Sequence, residues 1–101
     1  MIQVRTVGHD DPMQFEVAVH DRSGEAHYQV TMSSNDFERL GGASAAPEDC
    51  VRAAFLFLLD REPKESILRR FDVSIIERYF PEFRREFPRY RDAISSLPGR
   101  S

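Results

Sequence analysis

Three stretches near the N-terminus alternate apolar and polar residues, as half-buried β-strands do. These stretches cover residues 2–7, 14–20 and 26–32. Residues rich in Gly, Asp, Pro and Ser separate them, and such residues are typical of turns. The pattern therefore predicts an antiparallel three-stranded meander over residues 2–32.

The side-chain pattern also suggests a register for the second hairpin. When its turn is centred between Ser23 and Gly24, apolar residues of one strand meet apolar residues of the other. The predicted pairs are Phe15 with Met32, Val17 with Val30, Val19 with Tyr28 and His20 with His27. This register places the two histidines directly opposite each other on the solvent face.

The most apolar run of the chain, residues 47–61, predicts a helix buried at the centre of the fold. Pro47 suits the first helical turn, and the two acidic residues after it favour the positive end of the helix dipole. Apolar residues occupy most of the circumference, so more than one neighbour must cover this helix. The run is far too short to span a bilayer.

The remaining elements are predicted to be short helices. A helix over residues 35–40 follows a serine cap, and Gly41 to Ala46 form a small-residue linker. Beyond the central helix, prolines divide the chain into short helices, and residues 95–101 read as a frayed end. The prediction is one α+β domain over residues 1–101, with strands in 2–32 and a helical part in 34–94.

Composition and charge exclude several classes of protein. With 41% hydrophobic and 31% charged residues, the chain is globular rather than disordered. A single cysteine excludes an internal disulfide and any multi-cysteine zinc site. The N-terminus lacks the pattern of a signal peptide, which predicts a cytoplasmic protein. Residues 1–63 hold five Arg against eleven Asp and Glu, whereas residues 64–101 hold nine Lys and Arg against six.

The histidines and the cysteine are the residues closest to a chemical signature. His20 and His27, opposite each other, are candidates for a metal site, but exposed polar pairs are common on strands and no third ligand falls into a motif. Cys50 lies on the buried side of a helix beside acidic residues, which favours a structural thiol. No phosphate-binding loop, nucleophile elbow or zinc-protease motif is present, so no cofactor is predicted.

The segment 65–78, ESILRRFDVSIIER, has some features of a helix-turn-helix. Asp72 stands at the turn glycine, Leu68 stands where a small residue is needed, and Pro81 soon ends the second helix. If the motif forms, Arg69, Arg70 and Arg78 would contact phosphates.

The stretch 61–83, REPKESILRRFDVSIIERYFPEF, is similar to a group of small bacterial proteins of unknown function. The resemblance implies a bacterial origin. It implies no activity and transfers no site residues.

Because no catalytic grouping stands out, the sequence favours a non-catalytic interaction or regulatory module that self-associates or binds a protein partner. The prediction rests on aromatic and arginine residues in 78–91, which are enriched at interfaces. The predicted contact residues are Arg78, Tyr79, Phe83, Arg84, Phe87 and Tyr90. The alternative is a nucleic-acid-binding protein that uses the basic helical segment 64–91.

Overall fold

A computed structural model describes residues 1–41 and 46–95 as a four-stranded sheet with helices. The strands are β1 (Ile2–Gly8), β2 (Met13–Asp21), β3 (Gly24–Met32) and β4 (Arg70–Asp72). The helices are α1 (Ser34–Arg39), α2 (Pro47–Leu59), α3 (Ile76–Tyr79) and α4 (Phe83–Ser95), with 3₁₀ turns at Lys64–Ser66 and Val73–Ile75. Most of the predicted linker 41–46 and of the predicted frayed end 95–101 lies outside the described residues.

The sheet has the order β1-β2-β3-β4, and its first three strands form an antiparallel meander. The α+β class is therefore confirmed, and the meander agrees with the prediction. β4 adds to β3 in parallel, which makes the sheet mixed. One face of the sheet is buried under α2. We call the other, solvent-exposed face, which carries residues such as Glu16 and His27, the open face.

The predicted hairpin register is wrong by two residues. Phe15 pairs with Val30, Val17 with Tyr28, Val19 with Ala26, and His20 with Glu25 rather than His27. The turn is centred one residue earlier than predicted, between Arg22 and Ser23, because Asp21 pairs with Gly24. The Asp21 carboxylate stabilises this turn by accepting hydrogen bonds from the backbone N–H and hydroxyl of Ser23, both at 2.8 Å. Gly24 follows with φ of 126°, a conformation that glycine adopts without strain. A shift of two residues leaves every side chain on its predicted face.

The predicted central helix, residues 47–61, corresponds to α2 (Pro47–Leu59), which runs through the core. Eight of the thirteen residues of α2 are buried. On one side the Phe55 ring meets Tyr28 of the sheet, with ring centroids 5.0 Å apart. On the other side Phe57 meets Phe83 of α4 at 4.9 Å. The sheet and α4 therefore cover α2 from two sides, as its apolar circumference requires.

The segment after α2 departs most from the prediction of a helical part over 34–94. Only Lys64–Ser66 is helical there, and the chain then extends into β4. Two contacts with β3 favour this path: the Tyr28 hydroxyl donates to the Lys64 carbonyl at 2.6 Å, and the Gln29 N–H donates to the Arg69 carbonyl at 2.8 Å. Tertiary hydrogen bonds thus outweigh local helix propensity.

The C-terminal half also differs in detail. Asp72 caps the next turn as predicted, because its carboxylate accepts from the Ser74 N–H at 3.0 Å. The prolines were predicted to divide this part of the chain into short helices, but residues 83–95 form one helix, α4, which contains Pro88. Pro88 has no N–H to donate to the backbone carbonyl one helical turn earlier. It lies on the exposed side of α4, where water can reach that carbonyl.

Candidate functional site

The six predicted contact residues do not form one surface. Phe83 and Phe87 are each 1% exposed and belong to the core, because they form the face of α4 that packs on α2. Tyr90 is half-buried, and its hydroxyl donates to Asp60 at 2.6 Å. On the surface are Arg78, Tyr79 and Arg84, the last paired with Glu77 at 3.1 Å.

An apolar groove of about 290 Å³ lies between the end of α2 and the chain from residue 66 to residue 80. Its lining is apolar apart from Glu62 and Ser66. The lining residues are Leu58, Glu62, Ser66, Ile67, Leu68, Phe71, Ile75, Ile76, Tyr79 and Phe80. We refer to this feature as the apolar groove. A concave apolar surface with a few polar groups is the usual form of a binding site.

Two large apolar side chains of the apolar groove are exposed to solvent. Leu68 is 49% exposed and Tyr79 is 64% exposed. The other large apolar residues of comparable exposure in the described chain, Met1 and Val7, belong to the N-terminal end and β1. Single exposed apolar residues are ordinary, but two beside one apolar concavity mark a candidate contact surface.

Sequence reasoning missed the apolar groove because it assigned short helices to the chain beyond the central helix. In a helix, Ile67 and Leu68 could both face the core. The chain beyond Ile67 is extended, so neighbouring side chains point in opposite directions: Ile67 is 4% exposed and Leu68 is 49% exposed. Residues 67–71, ILRRF, do not alternate apolar and polar positions, so the sequence alone does not identify a strand there.

The two candidate metal ligands lie on the open face and share one carboxylate. Glu25 is 2.7 Å from His27 Nε2 and 3.5 Å from His20 Nδ1. Within residues 1–41 and 46–95, no group of three or more His, Cys, Asp or Glu side chains is placed to hold a metal ion. All three side chains are largely exposed, and exposed contacts of this kind contribute little to stability.

The arginines of the predicted helix-turn-helix are not arranged as that motif requires. The segment 65–78 contains part of a 3₁₀ turn, β4, a second 3₁₀ turn and the start of α3, instead of two crossing helices. Arg69 and Arg70 line a second hollow, of about 340 Å³, together with open-face residues such as His27 and Gln29. Arg78 belongs to α3 and does not line this hollow.

Lys64 is a buried cation that sequence reasoning did not identify. Its side chain is 3% exposed, and the ammonium group lies 2.8 Å from Asp21 and 2.7 Å from Glu65, and donates to the Ser23 hydroxyl. The hydrogen bond to Asp21, followed by that to Glu65, raises the pKa of Lys64. The lysine therefore stays charged and cannot act as a general base for Ser23. This cluster fixes the segment after α2 to the hairpin turn.

The same cluster predicts a loss of stability in acid. Hydrogen bonds from Lys64 hold the pKa of Asp21 well below its usual range and lower that of Glu65. Unfolded carboxylates take up protons below about pH 5, while these folded ones stay charged. Their stabilisation is therefore complete above about pH 5 and is lost progressively as pH falls from there toward the lowered pKa values of the folded state. Urea unfolding between neutral and acid pH should show the decline. The Asp21→Asn variant should be less stable at pH 7, and its free energy of unfolding should fall less steeply as pH decreases. An unchanged slope would contradict the stabilising role of the Asp21 carboxylate.

Cys50 is buried, with 1% of the residue exposed, and burial raises the pKa of its thiol to about 11. The negative charge of Asp49 adds to the effect. At pH 8 the thiolate fraction is then on the order of a hundredfold below that of an unfolded cysteine. We expect the native protein to react with a disulfide reagent about 100-fold more slowly than the urea-unfolded protein. Equal rates in the two states would show that the thiol is accessible and reactive.

Comparisons with known proteins return no family model, no curated protein and no solved structure that matches this chain. The resemblance of residues 61–83 to small bacterial proteins therefore adds no site residues. Among the residues that the structure describes, no helix has the length and apolar character needed to cross a membrane.

Proposed function

We propose that this protein is a protein-interaction module that binds an apolar segment of another protein in the apolar groove. The observation that carries the proposal is the exposure of Leu68 and Tyr79 beside this concavity. Aromatic and aliphatic anchors that fill such pockets supply most of the energy of protein interfaces. A groove of about 290 Å³ has room for a few inserted side chains. A standard dimer instead buries a broad face of each protein.

The proposal assigns no catalytic activity to the protein. Two side chains could act as nucleophiles, and neither is activated. Lys64 is held charged and cannot take the proton of the Ser23 hydroxyl, and burial keeps the Cys50 thiol protonated. In keeping with the sequence, we place the protein in the bacterial cytoplasm. Self-association stays a prediction from the sequence. Light scattering would reveal it as a molar mass that rises above 11.7 kDa with concentration.

Selection from a random-peptide phage library against the immobilised protein tests the proposal. We expect families of peptides with recurring apolar anchors, because the apolar groove excludes water from such side chains. Leu68→Asp should abolish this enrichment, since it places a charge on the groove wall. Val7→Asp, an equally exposed apolar position on β1, should leave it intact. The absence of any enrichment, or equal enrichment on Leu68→Asp, would refute the proposal.

A second candidate function is nucleic-acid binding through the open face. The observation that favours it is the pair Arg69 and Arg70 at the hollow beside His27. Arg69 also lies over the Tyr28 ring, with its guanidinium carbon 5.6 Å from the ring centre. A labelled single-stranded RNA should then bind less tightly as salt increases and should lose affinity with Arg69→Ala and Arg70→Ala. No binding at low salt would eliminate this candidate.

A further inference from the structure

The carboxylate of Glu62 is placed differently from the other acidic groups around the end of α2. Its neighbours all have partners: Asp60 accepts from Tyr90 at 2.6 Å, Glu65 pairs with Lys64 at 2.7 Å, and Glu82 pairs with Arg61 at 3.1 Å. The side chain of Glu62 has no hydrogen bond or ion pair with any residue in 1–41 or 46–95. It is half-buried and is the charged member of the groove lining.

The adjacent cations are already committed elsewhere. The Lys64 ammonium is held by Asp21, Glu65 and Ser23. The Arg61 guanidinium contacts Glu82 and lies 3.6 Å from the centre of the Phe57 ring, on the side of α2 that faces α4. Neither neighbour is therefore available to neutralise Glu62. A half-buried carboxylate in an apolar setting gains most from a cation that approaches from outside the protein.

From this geometry we infer that the apolar groove selects segments that carry a lysine or arginine next to their apolar anchors, with the cation bound by Glu62. The inference rests on the proposed function and specifies the chemistry of the partner. The Ser66 hydroxyl, on the same lining, provides a second acceptor for the ammonium or guanidinium group. An acidic segment would place a like charge against Glu62 and be rejected, so this residue sets specificity while Leu68 and Tyr79 supply contact area.

The test repeats the peptide selection on the wild-type protein, Glu62→Gln and Glu62→Lys in parallel. The measured quantity is the ratio of basic to acidic residues in the enriched peptides. We expect this ratio to exceed that of the starting library by about three- to tenfold on the wild-type protein. The bias should disappear on Glu62→Gln and reverse on Glu62→Lys. Glu38→Lys, at an exposed acidic position of α1 outside the groove lining, is the matched control and should keep the wild-type bias.

The outcomes separate the inference from the proposed function. Apolar enrichment that depends on Leu68 but shows the same charge ratio on all three proteins would overturn the inference and leave the groove as a binding site. An acidic bias on the wild-type protein would overturn the inference as well. No enrichment on any of the proteins would overturn both. Far-UV circular dichroism and urea unfolding of each variant establish that folded proteins are being compared.

Discussion

Phe57→Ala is expected to destabilise the protein by about 3–5 kcal/mol, which is the usual cost of removing a fully buried aromatic ring. Phe57 is 0% exposed and joins α2 to the C-terminal helices. Its ring centroid lies 4.9 Å from that of Phe83, 5.6 Å from Tyr90 and 5.8 Å from Phe80. The Arg61 guanidinium also lies over this ring, so the substitution removes a cation–π contact and opens a cavity at once.

Urea unfolding of the wild-type protein and Phe57→Ala measures this effect. A domain of this size has a total stability of about 5–15 kcal/mol, so the variant should be marginal or largely unfolded at 37 °C. Tyr79→Ala is the matched aromatic control, because Tyr79 is 64% exposed; its free energy of unfolding should change by at most about 0.5 kcal/mol. A loss below about 1 kcal/mol for Phe57→Ala would show that α4 does not pack on α2 as described.

Tyr79→Ser is expected to weaken binding of groove-selected peptides by about 30-fold, the fold-change that corresponds to loss of an interface hot spot. The tyrosine lines the apolar groove and is exposed before binding, so its ring is free to be covered by a ligand. Stability should be nearly unchanged, since the side chain contributes little to the core. Fluorescence anisotropy with a labelled selected peptide gives the affinity.

Val7→Ser is the control for general loss of exposed apolar surface, because Val7 lies on β1 and not in the groove lining. It should bind the same peptide with wild-type affinity. Equal weakening by both substitutions would point to non-specific hydrophobic contact. An unchanged affinity in Tyr79→Ser would remove Tyr79 from the binding surface.

The elements that depend on local pattern were predictable from the sequence. Alternation identified β1, β2 and β3, and Pro47 together with the apolar run that follows identified α2. The hairpin register was wrong because the turn depends on one side chain, Asp21, which holds the N–H and hydroxyl of Ser23. The residues DRSGE, 21–25, are compatible with several turns, and the sequence does not show which of them forms.

The elements that depend on distant contacts were not predictable. β4 has only three residues, and it forms because Arg70 pairs with Gln29 of β3, which is distant in the sequence. Lysine is usually a surface residue, and only the position of the hairpin turn explains the burial of Lys64. The apolar groove follows from both features, because they fix the extended chain that exposes Leu68. Without these contacts, the prediction from the sequence included Phe83 and Phe87 in the contact surface, although both are in the core.

The most direct test of the binding surface is an NMR titration of ¹⁵N-labelled protein with a peptide selected on the wild-type protein. Binding in the apolar groove predicts that the largest amide shift changes fall at the end of α2 and between residues 62 and 80, with small changes in β1 and β2. Shift changes concentrated on the open face, around Glu16, His27 and Gln29, would contradict the assignment and place the binding surface on the sheet.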